Sequence, residues 1–320
     1  ATPTPGRGVQ LIHALTSDGL FHSLYVSNGA AHNPAVRFLP PNASANGLIV
    51  FGNTAYATTS NGCGGVENGL WALDLSSGQV TRWKSEGNGT AGPAVGPDGT
   101  LYVAGGAGEL VAFEPKTLRK RAAYVAANRE FASSPVVFEY KQRNLVAITT
   151  NDGQLHLLDA KALYRPLSSI ATNASKSFGP GALATWQDAA GTRWVMAGTG
   201  SAIAAWKVLE QDGMPVLQPG WVSRDIPASA TPMIVNGVVF ALATGEYLTA
   251  DPKLSAAQRA QRSSHAILYA LDGATGKELW NSGNAMTSFV HGGGLAGGAG
   301  QVYVGTYDGT EYAFGFPVEH

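Results

Sequence analysis

Cysteine is nearly absent from this chain of 320 residues: Cys63 is the only one. Within these residues that excludes an internal disulfide, a CxxCH haem attachment and any cysteine-rich zinc site. Charge is scarce too, at 13% of residues, with a formal net charge of −1. Such a balance leaves no electrostatic footprint for nucleic acid or an anionic membrane, so neither is expected as a partner. No apolar run approaches the roughly 18 residues of a membrane span, so no transmembrane segment is expected. Catalytic signatures are missing as well. The seven histidines show no HxH or HExxH spacing, and there is no G-x-S-x-G elbow. Gly292-Gly293-Gly294 is not a phosphate loop, because no Lys-Ser/Thr follows it.

Glycine is abundant, at 41 residues. Abundant glycine with little charge suits many short buried strands joined by tight turns, and argues against disorder or a long helical bundle. Asp-Gly and Thr-Gly pairs supply the positive φ of tight turns, as at Asp18-Gly19, Asp98-Gly99, Asp152-Gly153, Asp272 to Gly276 and Asp308-Gly309. Aligned on strand–turn–strand cores, the chain reads as seven hairpin units, five of them complete. Most central turns lie roughly 40 to 50 residues apart, the period of a four-stranded blade. Alternating apolar residues would let both faces of each sheet pack on neighbours, so the units must stack to bury a core. A lone blade would leave both faces wet. The prediction is an all-β fold, a β-propeller of four-stranded blades in a single domain over residues 9–320. The first eight residues, ATPTPGRG, are too rich in Pro and Gly for a central strand and form an extended N-terminal segment. They carry no signal-peptide pattern.

Two stretches carry a family resemblance. LWALDLSSGQVTRW (70–83) and LYALDGATGKELW (268–280) resemble the Ala-x-Asp-x-x-Thr-Gly-x-x-x-Trp signature of pyrroloquinoline-quinone-like (PQQ-like) propeller repeats. LVAFEPKTLRKR (110–121) and LHLLDAKALYRP (155–166) are degenerate copies without the Trp. The resemblance implies that Asp74, Asp272 and Gly276 fix turns while Trp83 and Trp280 wedge between blades. It implies a periplasmic or extracellular setting, and commonly eight blades, with an N-terminal strand closing the last one. Since the first unit here starts at a second strand and the last lacks an outer one, an upstream segment or a protein partner is expected to complete the ring.

Chemistry is harder to locate. Two long insertions, Asn61 to Gly69 and Glu246 to Ser264, fall between second and third strands, where loops gather into binding rims. Leu254 to Arg262 reads as a short helix with Ser255 near its cap. Phe131, Phe178 and Phe289 each precede a first strand. They are either packing wedges or, with Arg129, Lys176, Arg224 and His291, an aromatic and cationic cup for a small anionic ligand. PQQ-dependent dehydrogenases share the resembled fold, and use calcium held by Glu and Asn with a catalytic Asp. Glu246, Asn61 and Asp225 are the residues near the rim for that role, but adjacent cysteines are lacking. The expectation is therefore a binding or assembly module with no bound cofactor and no metal, with a PQQ- and calcium-dependent dehydrogenase as the alternative and a subunit of a surface assembly as a third. Cys63 reads as a small buried thiol or as a disulfide partner for sequence elsewhere. Asn42, Asn88 and Asn173 head N-x-S/T triplets, which matter in a eukaryotic source. His13, His22 and His156 alternate with apolar residues and read as hydrogen-bonded packing residues.

Overall fold

The computed structural model describes residues 10–87, 91–174, 181–249, 251, 253–298 and 300–315. The expected N-terminal segment, Asn88, Lys176 and Phe178 lie outside them.

Among the described residues seven antiparallel sheets follow one another along the chain. The first holds β1 (Leu11–Leu15), β2 (Leu20–Tyr25) and β3 (Val36–Arg37). In the second are β4 (Ser44–Phe51), β5 (Thr54–Ser60), β6 (Gly69–Asp74) and β7 (Val80–Lys84). The third has β8 (Ala94–Val95), β9 (Leu101–Ala104), β10 (Glu109–Phe113) and β11 (Lys120–Val125). Next come β12 (Val136–Tyr140), β13 (Arg143–Thr149), β14 (Gln154–Asp159) and β15 (Pro166–Ala171). The fifth sheet is β16 (Ala184–Gln187), β17 (Arg193–Gly198), β18 (Ile203–Gln211) and β19 (Met214–Val222). The sixth is β20 (Met233–Val235), β21 (Val238–Ala243), β22 (Ile267–Asp272) and β23 (Glu278–Asn281). The last is β24 (Ala296–Gly298), β25 (Gln301–Gly305) and β26 (Glu311–Gly315). Every sheet is ordered by sequence, so each is a plain meander. Among the described residues five sheets have four strands and two have three, the division that the hairpin units predict.

The chain forms two compact units. One comprises Ala1–Asn144 with Ala160–Arg165, the other Leu145–Asp159 with Pro166–His320. In the first, β5 is buried at every position, because the sheet packs on both faces. Ala55 and Ala57 of β5 and Trp71 and Leu73 of β6 join Phe21, Phe38 and Leu39 of the first sheet and its exit. Tyr56, Leu70 and Ala72, on the opposite face, pack on Leu101, Val103, Val111 and Phe113 of the third. In the second unit, Tyr269 and Leu271 of β22 meet Trp194, Met196 and Ile203 of the fifth sheet. Leu268, one residue out of phase, joins Val302 and Val304 of β25. Alternation along a strand thus becomes alternation between two cores.

The turns use two recurring devices. In the signature stretches, Asp74 Oδ1 accepts from the backbone N–H groups of Ser76 and Ser77, and Asp272 Oδ1 from those of Ala274 and Thr275. The amides of Gly78 and Gly276 then donate to the carbonyls of Asp74 and Asp272, both at 2.8 Å. Gly276 has φ +71°, and a Cβ there would sit 2.3 Å from the Trp221 ring, so glycine is required twice over. The degenerate copy at 110–121 keeps this turn without glycine: the Leu118 amide donates to the Glu114 carbonyl and Leu118 is held at φ +52°. The second device is a Thr-x-Asp-Gly turn at Thr16, Thr150 and Thr306. Each Thr amide donates to the carbonyl four residues on, at Leu20, Gln154 and Thr310, and each Thr hydroxyl donates to the turn Asp.

The two signature tryptophans are not equivalent. Trp83 lies opposite Leu70, four residues before Asp74, and its ring packs 4.9 Å from Phe113 with Lys120 over it. Trp280 lies opposite Ala270, two residues before Asp272, beside a β-bulge. Its ring reaches Phe314 at 5.7 Å, yet it is 45% exposed, so the expected wedge at Trp280 is half open to solvent. The shorter spacing from Gly276 and the bulge together put it two rungs from the place that Trp83 takes. Expectations for the histidines hold. His156 is buried between Thr150 and Ser169, and His13 stacks on Phe21 while bonding Ser23, its pKa lowered by burial.

Two measurements check this account. Trp83→Ala should cost about 2 kcal/mol in denaturant titration, less than the roughly 3–5 kcal/mol of a fully buried Trp because its ring is only partly covered, and Trp280→Ala roughly half of that. Equal losses would mean that the register difference has no energetic meaning. The turn carboxylates set a pH dependence. Hydrogen bonds from Ser76, Thr16 and Thr306 hold Asp74, Asp18 and Asp308 below the usual carboxylate range. A depressed group contributes stability above its unfolded-state value and loses it as pH falls through the folded one. The melting temperature should therefore drop below about pH 4, and Asp308→Asn should remove part of that drop.

Candidate functional site

The insertion between β21 and β22 folds as the sequence predicts. Its one helix, α1 (Ala256–Arg262), starts at a capping box: the Ser255 side chain accepts from the Gln258 amide, and the Gln258 side chain accepts from the Ser255 amide. Backbone bonds from Ser264 to the Gly245 carbonyl and from Ala266 to the Ser288 carbonyl close its base. Gly245 is needed there, at φ +70°, because a Cβ would meet the Ser264 and His265 carbonyls at 2.5 and 2.6 Å. The Tyr247 amide donates to Ser263 Oγ, which itself donates to the Arg259 carbonyl.

This insertion faces the link between β23 and β24 and the β25–β26 turn. Val290 donates to the Thr244 carbonyl, and Tyr307 to the Phe289 carbonyl. Together they enclose a cavity of about 100 Å³ walled by Glu246, Arg259, Ser263, Phe289, His291 and Tyr307. Phe289 is 7% exposed and stacks on Tyr307 at 4.5 Å; Tyr307 is 56% exposed and forms the open wall. His291 stands edge-on to Tyr307 and hydrogen-bonds Glu246 Oε1 through Nδ1 at 2.6 Å. The Glu246 side chain is 18% exposed and that of His291 65%, so the carboxylate is sheltered and the ring is presented. Arg259 Nη1 donates to the Leu254 carbonyl at 2.6 Å. Among the described residues, Glu246 Oε2, His291 Nε2, the Tyr307 hydroxyl and the other guanidinium N–H groups of Arg259 have no protein partner.

Of the predicted site residues, the structure brings Phe289 and His291 together here. Phe289 is a buried packing ring, as one of the two readings had it, and it also lines this cleft. Arg224 is elsewhere: it pairs with Glu278 at 2.6 Å and lies over Tyr269. That bond raises the Arg224 pKa and lowers that of Glu278. Arg129 and Phe131 belong to the other unit, where Phe131 packs 6.3 Å from Tyr124. The cleft is therefore not a purely cationic cup, because Glu246 stands in it beside Arg259. Asn61 and Asp225 do not line it. Cys63 is free and exposed on the turn Cys63–Gly65, which overturns the buried-thiol reading; no residue of that turn is buried, and the chain returns to the core only at Val66. Asn42 and Asn173 sit at φ +62° and +56°, which gives both a backbone reason to be Asn. Sequence reasoning missed Arg259, Ser263 and Tyr307. Tyr307 did leave a signal: the second position of the Thr-x-Asp-Gly turn is Ser17 and Asn151 in the other two copies and aromatic only here.

No family model matches this sequence, and no curated protein sequence matches it significantly. Solved structures match in fold alone. The computationally designed Ika8 protein superposes with a TM-score of 0.65 at 14% identity, over 96% of this chain and 80% of that one. BamB from Moraxella catarrhalis gives 0.59 at 16% identity, over 98% and 81%. The Cps50 (Swd1) β-propeller domain of Myceliophteria thermophila gives 0.63 at 12% identity, over 96% and 94%. The chain is a seven-bladed, all-β propeller with four-stranded antiparallel blades as its repeat. No helix among the described residues is long and apolar enough to cross a membrane.

Removing the cap tests how the cleft is held. Ser255→Ala should cost about 1 kcal/mol. Hydrogen exchange should speed up locally, over residues 253–264, with the amides of β22 unchanged. Faster exchange throughout the second unit would mean that the insertion supports the blade, not the reverse.

Proposed function

We propose that this propeller is an exported binding or assembly module of the PQQ-like type, working in the periplasm or outside the cell without a bound quinone. The observation that carries this reading is the convergence of three separate segments on one cleft whose polar edges are unpartnered. Glu246 Oε2, His291 Nε2 and the Tyr307 hydroxyl all remain available there among the described residues. Polar groups left open around an aromatic floor are the ordinary make-up of a recognition site. The exposed side chains of Tyr247 and Leu248, on the same insertion, support a contact with a larger partner.

A PQQ-dependent dehydrogenase is the alternative. The residues of this cleft do not fit that cofactor. A planar quinone with three carboxylates would here meet the Glu246 carboxylate, with Arg259 as the one guanidinium to answer it. Ultraviolet–visible titration with PQQ and calcium should leave the protein unloaded and unable to reduce a dye with alcohols or sugars. Calcium-dependent uptake at micromolar PQQ or tighter would replace the binding-module reading with the dehydrogenase.

A further inference from the structure

We propose that the cleft at Tyr307 binds a neutral saccharide ring, laid on the Tyr307 face with its hydroxyls on Glu246, Arg259 and His291. The inference rests on the binding-module reading above and names the ligand class for the same cleft.

Charge decides first. A carboxylate and a guanidinium line one small cavity, and the imidazole beside them is already bonded to the carboxylate. An anionic ligand would meet the sheltered Glu246 side chain, and a cationic one would meet Arg259. Either would leave a like charge to be desolvated without a partner, which costs more than the opposite charge returns. A neutral ligand carrying both donors and acceptors faces no such conflict.

Hydrogen-bonding capacity decides next. Glu246 Oε2 can only accept, the open N–H groups of Arg259 can only donate, and His291 Nε2 accepts when Nδ1 holds the proton toward Glu246. The ligand must therefore donate to the carboxylate and accept from the guanidinium within one small group. A hydroxyl does both, and a sugar ring offers several around its edge. The aromatic wall supplies the third requirement. Tyr307 is 56% exposed, backed by the Phe289 ring at 4.5 Å, and held by the Thr306 and Asp308 turn. A flat apolar face so fixed suits the C–H face of a pyranose. An apolar peptide side chain would use the ring and leave Glu246 and Arg259 unsatisfied.

Saturation-transfer NMR on the full chain tests this with the methyl glycosides of glucose, galactose, mannose and N-acetylglucosamine. Glucuronate, benzoate and choline serve as charged comparators, with His291 ring signals followed throughout. The expected result is saturation of the C–H protons of at least one neutral glycoside together with a His291 shift. Tyr307→Ala should weaken it by roughly tenfold, equivalent to about 1.4 kcal/mol, and Glu246→Gln should also weaken it. Tyr164→Ala, an exposed tyrosine in the other unit, should change nothing. If a charged comparator shifts His291 and no neutral glycoside does, the saccharide is wrong and the binding cleft stands. If no probe shifts His291, the proposal is overturned and the cleft loses its place in the binding reading as well.

Discussion

The structure depends on the burial of both faces of the middle strands in the four-stranded blades. A strand such as β5, closed to solvent at every position, cannot belong to a sheet with a wet side. Its residues are divided between two cores: Ala55 and Ala57 serve one neighbour and Tyr56 the other. Neither core is complete without the sheet between them, so no blade has a separate stability to lose. The small residues matter here as much as the large. Alanine at 55 and 57 lets Trp71 and Phe38 close the space on that side, while Tyr56 fills the other and extends its hydroxyl to the Lys116 amide.

Because so much burial is assigned to packing, the functional chemistry is left to segments that leave the sheets. The cleft is built from an insertion, a link and a turn, with no strand residue in its wall. Rigidity reaches it indirectly, through backbone bonds at Gly245, Val290 and Tyr307 that close the base of the insertion, tie the link to it and tie the turn to the link. The Glu246–His291 bond then connects two of the three segments by side chains alone. This arrangement separates folding from recognition, since the groups that face a ligand contribute little to either core.

That separation explains what the sequence revealed and what it concealed. Strand order, the turns, the insertion helix and its Ser255 cap were legible because each follows from local chemistry: Asp-Gly pairs, alternation and a capping residue. The cleft was half legible. Phe289 and His291 stand next to a recurring link and drew attention, whereas Arg259 faces the cavity only because of how α1 docks, and nothing local encodes docking. Arg224 shows the reverse case. It belongs to a similar link, but Glu278, 54 residues away, takes it up. The two signature tryptophans carry the same lesson at the level of register: Trp280 stands one residue nearer its turn glycine than Trp83 does, and the bulge beside it moves it one rung further, a step that the motif does not display.

The Thr-x-Asp-Gly turn has a consequence for how such a surface can vary. Its geometry is held by the Thr hydroxyl, the Asp carboxylate and the glycine, and its second residue takes no part in those bonds. That second position works as an interchangeable socket: Ser17, Asn151 and Tyr307 are three inserts in one mount. A change of insert alters what the blade shows to solvent while the mount keeps its wiring. New specificities can therefore be exchanged one residue at a time, with the burden of folding carried elsewhere.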